Sequence, residues 1–210
     1  MSNMQSWKQN IGSIIDYAER IFPDVEIVSR SLSGEIVKSN YGQVAKRAKK
    51  LGSALETYGI KHGQNVGSLA LNTYRNMEMY YGISGMGAVM HTINFRLHPE
   101  QIAYIINHAE NRLIFLETVF APLLEALQDN CPTVEQYILL CSKEEMPETK
   151  LKNVISYEEF IENGDESYAW PELEEDAPCG LCYTSGTTGN PKGVLYLSLI
   201  HISEPTRRKH

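Results

Sequence analysis

The sequence predicts an α/β protein, a largely parallel sheet with helices on both faces. Three observations carry that reading. From His62 onward, short apolar runs alternate with segments of helical period, the order that builds a parallel sheet. The last of these runs leads into a loop of glycines and hydroxyls, at the place where such sheets bind ligands. At 210 residues and 42% hydrophobic content, the chain can bury the core of one large domain or part of one.

Trp7 to Ile21 reads as a helix, with Ile11, Ile14, Ile15 and Ala18 at helical spacing. Val25 to Val28 and Glu35 to Val37, joined by Ser33-Gly34, suit a hairpin. Ser39 or Asn40 can cap a helix reaching about Tyr58, whose apolar face is Val44, Ala48, Leu51, Leu55 and Tyr58. Strands are expected at Asn65 to Leu71, Ala88 to Ile93, Leu113 to Glu117 and Gln136 to Leu140. Between them fall helices at Arg75 to Met86, Pro99 to Ala109 and Val119 to Asp129. In the second of these, Pro99 suits the first turn, and Ile102, Ile105, Ile106 and Ala109 form the stripe that faces the sheet. From Lys143 to Asp176 acidic residues crowd, and apart from a short helix near Tyr157 to Ile161 the segment reads as a solvated excursion. A final strand, Gly180 to Tyr183, delivers the chain to the loop.

The formal charge of −7 argues against nucleic acid as a partner. No apolar run reaches the roughly 18 residues that a membrane span needs, and Met1 to Asn10 lacks a basic region followed by an apolar one. A cytoplasmic protein without a transmembrane segment is therefore expected. The four cysteines, Cys131, Cys141, Cys179 and Cys182, include one C-x-x-C pair, but it sits in an apolar run without a second pair or paired histidines, so strand thiols are preferred to a metal or redox site. Adjacent acids such as Glu144 and Glu145 share no helix face and show no ligand spacing.

The chemistry is concentrated in Tyr183-Thr184-Ser185-Gly186-Thr187-Thr188-Gly189-Asn190-Pro191-Lys192-Gly193. Its glycines let backbone N–H groups turn toward an anion with no Cβ in the way. Thr184, Ser185, Thr187 and Thr188 add hydroxyl donors, and Lys192 adds a compact positive charge. The pattern is not a Walker A loop, because Pro191 precedes the lysine and Gly193 stands where that motif needs a hydroxyl. It is a different polyphosphate loop.

This run resembles the phosphate-binding signature of the adenylate-forming superfamily, which includes acyl-CoA synthetases, luciferases and the adenylation domains of peptide synthetases. A second stretch, Ile93 to Glu110, with Asn94, Arg96-Leu97, Glu100 and Asn107-His108-Ala109, is similar to a segment shared by fatty-acyl-CoA synthetases. It can be wholly structural: His108, near a helix C-terminus, suits the helix dipole, and Arg96 can tie loops together, so neither is assigned to the site.

The resemblance spans Trp7 to Tyr196 and is strongest to the medium- and long-chain fatty-acid ligases. It implies an N-terminal part of the large AMP-binding domain over residues 1–196, with Thr184, Ser185, Gly186, Thr187, Thr188, Gly189 and Lys192 as phosphate contacts. It also implies ATP, Mg²⁺ and CoA, a small carboxylic acid as substrate, and a parent free to associate peripherally with membranes. Other elements of the family, a Tyr-Gly-x-Thr-Glu segment, a ribose-binding aspartate, a hinge and a C-terminal lysine, do not occur in these residues, so the chain alone is expected to be inactive. Residues 197–210 resemble translated sequencing-adapter read-through and are expected to be a non-native tail; without their net +2 the charge becomes −9. Two alternatives stay open, an aryl- or amino-acid-activating relative that serves a carrier protein and a non-catalytic nucleotide-binding protein.

Overall fold

A computed structural model describes residues 8–32, 34–184 and 190–198. Helix α1 (Ile11–Ile21) begins four residues later than its apolar period suggests. The reason is a cap: the Asn10 side chain accepts from Ser13 N–H while the Ser13 hydroxyl folds back on Asn10. Strands β1 (Glu26–Arg30) and β2 (Ile36–Asn40) form the expected antiparallel hairpin. Asn40, rather than Ser39, caps α2 (Tyr41–Tyr58), accepting from Gln43 N–H at 2.8 Å. The helix ends at Gly59, whose φ of 94° is the left-handed closure that glycine allows without strain.

The main sheet follows. Its strands are β3 (Asn65–Leu69), β4 (Val89–Thr92), β5 (Leu113–Leu116), β6 (Gln136–Leu139), β7 (Val154–Ser156), β8 (Pro178–Thr184) and β9 (Lys192–Leu197), in spatial order β7-β6-β5-β3-β4-β8-β9. Every neighbouring pair is parallel except β8 and β9, which run antiparallel. Between strands lie α3 (Tyr74–Gly85), α4 (Pro99–His108), α5 (Ala121–Leu127), extended by a 3₁₀ turn at each end, and α6 (Tyr157–Ile161).

Strand alternation sorts the core into two halves. Ile114 and Leu116 of β5 pack with Ile102, Ile105 and Ile106 of α4 and Leu124 of α5. Leu113 and Phe115, one residue out of phase, pack with Leu55 of α2, Met79 and Ile83 of α3 and Tyr157 of α6. A strand buried on both faces needs apolar side chains in both phases, which is why β5 reads as an unbroken run. Helices therefore cover both faces, as expected.

Two expectations need correction. The expected short helix is present as α6, with Tyr157 fully buried, but the acidic segment is not otherwise a solvated excursion: it also contributes β7, which extends the sheet beside β6. Three residues of β7 were too few to give a pattern. The sheet also continues past the loop, because Lys192 to Leu197 return as β9, a strand that the sequence reading did not contain. β9 is an edge strand along which Val194, Leu195, Tyr196 and Leu197 are exposed. Leu197 pairs with Pro178, and the buried Ser198 hydroxyl accepts from Ile11 N–H at 2.9 Å, so the first two residues of the expected tail touch the fold. The rest of that tail, residues 199–210, lies outside the described residues.

Candidate functional site

Parallel strands point their carboxyl ends to one edge of the sheet, and β8 does so beside β4. The chain leaves β8 at Thr184 and re-enters the sheet at Lys192, and these two residues are register partners. The glycine-hydroxyl run is thus flanked by the two members of one rung of an antiparallel ladder. Both end residues are exposed, whereas Pro191 is buried and anchors the return. Of the expected phosphate contacts, Thr184 and Lys192 are brought together; Ser185, Gly186, Thr187, Thr188 and Gly189 lie outside the described residues.

The next rung pairs Tyr183 with Gly193. A Cβ on Gly193 would stand 3.3 Å from Tyr183 Cζ and 3.1 Å from Leu181 Cδ1, so the bare glycine backbone lies under the tyrosine ring. The Tyr183 hydroxyl reaches His108 Nδ1 at 2.6 Å, and its ring leans on His91, with centroids 5.1 Å apart. His108 in turn stacks on Tyr104. The sequence reading placed His108 at a helix C-terminus, where it is, but gave no sign that β8 brings Tyr183 to it. Arg96 sits over the Phe95 ring.

Beneath this lies His91, fully buried, with Nδ1 2.7 Å from Asn111 Oδ1. Burial lowers its pKa to about 4 against a smaller opposing effect of the Asn111 contact, so the ring is neutral at pH 7. His91 Nε2 and Asn111 Nδ2 are buried without a partner among the described residues.

A second concavity, of about 230 Å³, opens at the carboxyl ends of β3, β5 and β6, between Thr73, Arg75, Glu117 and the β1–β2 hairpin. Its charges are already committed. Arg75 binds Glu158 at 3.1 Å and the Leu140 carbonyl at 3.0 Å. Burial raises the Glu117 pKa, partly offset by the Leu71 backbone N–H. No group of three or more His, Cys, Asp or Glu side chains that could hold a metal is present among the described residues, and the four cysteines are free thiols, Cys182 half-buried and the others buried.

The AMP-binding enzyme family matches residues 16–197. The chain belongs to that family. The 3-methylmercaptopropionyl-CoA ligase of Ruegeria pomeroyi is 44% identical over 186 residues, covering 89% of this chain and 34% of the relative. The medium-chain fatty-acid–CoA ligase of Ectopseudomonas oleovorans is 42% identical with the same coverage. The long-chain fatty-acid–CoA ligase of Thermus thermophilus is 37% identical over 93% of the chain, again 34% of the relative. The chain thus spans about a third of the length of these relatives. An anthranilate CoA ligase solved with anthranoyl-AMP has the same fold, with a TM-score of 0.81 at 24% identity over 93% of this chain and 36% of that one. The chain has the mostly parallel α/β architecture of the adenylate-forming fold, and no described helix is long and apolar enough to cross a membrane.

Proposed function

We propose that this AMP-binding chain is the phosphate-gripping part of an ATP-dependent, AMP-forming fatty-acid–CoA ligase. In that reaction a carboxylate oxygen attacks the α-phosphorus of ATP, the α–β phosphoanhydride bond breaks and pyrophosphate leaves; the CoA thiol then displaces AMP from the acyl carbon. Such chemistry rests on holding and neutralising oxygens that gain charge. The observation that supports the reading is the Thr184–Lys192 rung, which sets the first and last of the expected phosphate contacts opposite each other. Thr184, Ser185, Gly186, Thr187, Thr188 and Gly189 supply N–H and hydroxyl donors to the β- and γ-phosphates, and Lys192 follows the departing pyrophosphate. Mg²⁺, when bound with the nucleotide, would neutralise phosphate charge further, and Thr184, Ser185, Thr187 and Thr188 are the neutral oxygen donors that this stretch would offer it.

The curated relatives at 37–44% identity are CoA ligases of aliphatic acids, which favours a fatty acid and CoA over a carrier-protein acceptor. We further propose that the 210 residues grip the nucleotide but do not complete the reaction.

Titration of the purified chain with ATP and magnesium tests this, alongside Lys192→Ala. A charge-assisted contact is worth about 1.5–3 kcal/mol, so the variant should bind roughly ten- to a hundredfold more weakly. Equal binding by the two chains would overturn the loop assignment, and pyrophosphate exchange above the variant's level would overturn the inactivity of the chain.

A further inference from the structure

Thr184 and Lys192 are exposed at the tip of the β8–β9 ladder, and the strand that carries Lys192 is the edge of the sheet. What bears on that tip from the packed interior is Tyr183, one residue before the loop. Its ring lies across Gly193, the residue that follows Lys192, and rests on buried His91 of β4. Its hydroxyl meets His108 of α4 at 2.6 Å. Tyr104, one helical turn earlier on α4, stacks on the His108 imidazole with centroids 5.4 Å apart and planes 28° apart, which fixes the ring that the hydroxyl must find.

We infer that Tyr183 and His108 are a positioning pair: their hydrogen bond ties the loop-bearing rung of β8 and β9 to α4 and so sets where Lys192 stands. This rests on the phosphate-loop reading above for its consequence, but its geometry is independent of any ligand. Neither side chain is proposed to touch the nucleotide. The pair explains two sequence features at once. His108 lies in the second stretch that resembles the fatty-acyl-CoA synthetases, and Gly193 ends the first; a tyrosine bridges them. Because phenol and imidazole can each give or take the proton, the bond survives either tautomer.

Tyr183→Phe is the informative change, since it keeps the ring over Gly193 and removes only the hydroxyl. Amide hydrogen exchange in the full 210-residue chain, without ligand, should show faster exchange at Thr184 and Lys192 in Tyr183→Phe and in His108→Ala. The double variant should be no worse than either, because both remove one bond. His108→Gln, which can still bond the hydroxyl, should restore most of the protection. Binding of ATP with magnesium should fall in the same order, by about five- to tenfold for Tyr183→Phe, the size of one lost neutral hydrogen bond. Unchanged exchange in Tyr183→Phe, or additive losses in the double variant, overturns the inference. If the wild-type chain binds no ATP, the nucleotide reading fails, and the exchange data still decide the positioning role by themselves.

Discussion

Arg47 Nε lies 2.7 Å from a carboxylate oxygen of Glu78 that has no solvent-exposed surface. The other Glu78 oxygen accepts from the Tyr157 hydroxyl at 3.0 Å, while the rest of the Arg47 guanidinium binds Glu158 at 2.9 and 3.0 Å. Three helices, α2, α3 and α6, are joined through one buried carboxylate.

Breaking that junction should cost far more than a surface pair. Burial raises the Glu78 pKa, against the pull of Arg47 in the other direction. Glu78→Ala leaves the Arg47 charge short of a partner at a half-buried site, and a loss of about 3–5 kcal/mol is expected from chemical denaturation. Glu78→Gln keeps the shape and the Tyr157 contact and should cost less. Equal, small effects for both would mean that water reaches the pair.

Trp170 makes a comparable prediction for the acidic segment. A Cβ on Gly12, Gly52 or Gly85 would come within 2.9 to 3.0 Å of its indole, so helices α1, α2 and α3 each present a glycine to one ring. The indole N–H donates to Asp16 at 3.1 Å. Trp170→Ala should destabilise the chain by about 3 kcal/mol, the low end for a buried tryptophan because this one is only half-buried. It should also open residues 165–177 to protease well before the sheet yields.

That segment marks where the sequence was legible and where it was not. Strand β5 and helix α4 could be read because burial on both faces, or along one stripe, writes a long apolar pattern. The packing of Trp170 could not, because its ring is seated on glycines and on Ile15, Val44 and Ala45 of helices far away in sequence, and the room that glycine leaves carries no hydrophobic signal. β9 was missed for a related reason. An edge strand with all six residues exposed has no buried phase to alternate with. At the site, composition singled out the loop and its lysine, since anion binding needs particular residue types; the Tyr183–His108 contact depends on which strand lies beside which helix, and spacing cannot give that.

His91 carries a pH prediction. Its pKa is about 4 in the fold and near 6.5 when unfolded, so above pH 6.5 neither state takes the proton and nothing is lost. As pH falls below 6.5 the unfolded chain gains a proton that the fold refuses, and stability drops until about pH 4, where the folded ring titrates too. The full loss is on the order of 3 kcal/mol. His91→Leu, whatever its stability at pH 7, should show a shallower decline between pH 6.5 and 4 in urea titrations. A slope unchanged from wild type would assign the decline to carboxylates instead.

Gly193 allows the strand preference of a residue to be set against its room. Valine is favoured in β-strands, so on propensity alone Gly193→Val should stabilise an edge position such as this one. The geometry predicts the reverse. A methyl group here already stands 3.1 Å from Leu181 Cδ1 and 3.3 Å from Tyr183 Cζ, which alanine can meet with shifts of a few tenths of an ångström, whereas a branched side chain must displace the tyrosine ring. Gly193→Ala is expected to be near neutral and Gly193→Val to cost about 1–3 kcal/mol, the usual range for an overpacked contact. The cause can be isolated in a double variant. With Tyr183→Ala in place the ring is gone, and valine at 193 should then cost nothing further or recover stability, a non-additivity readable in paired denaturation curves. Additive behaviour would locate the strain in the β9 backbone, and the ring over Gly193 would not be what keeps that position bare.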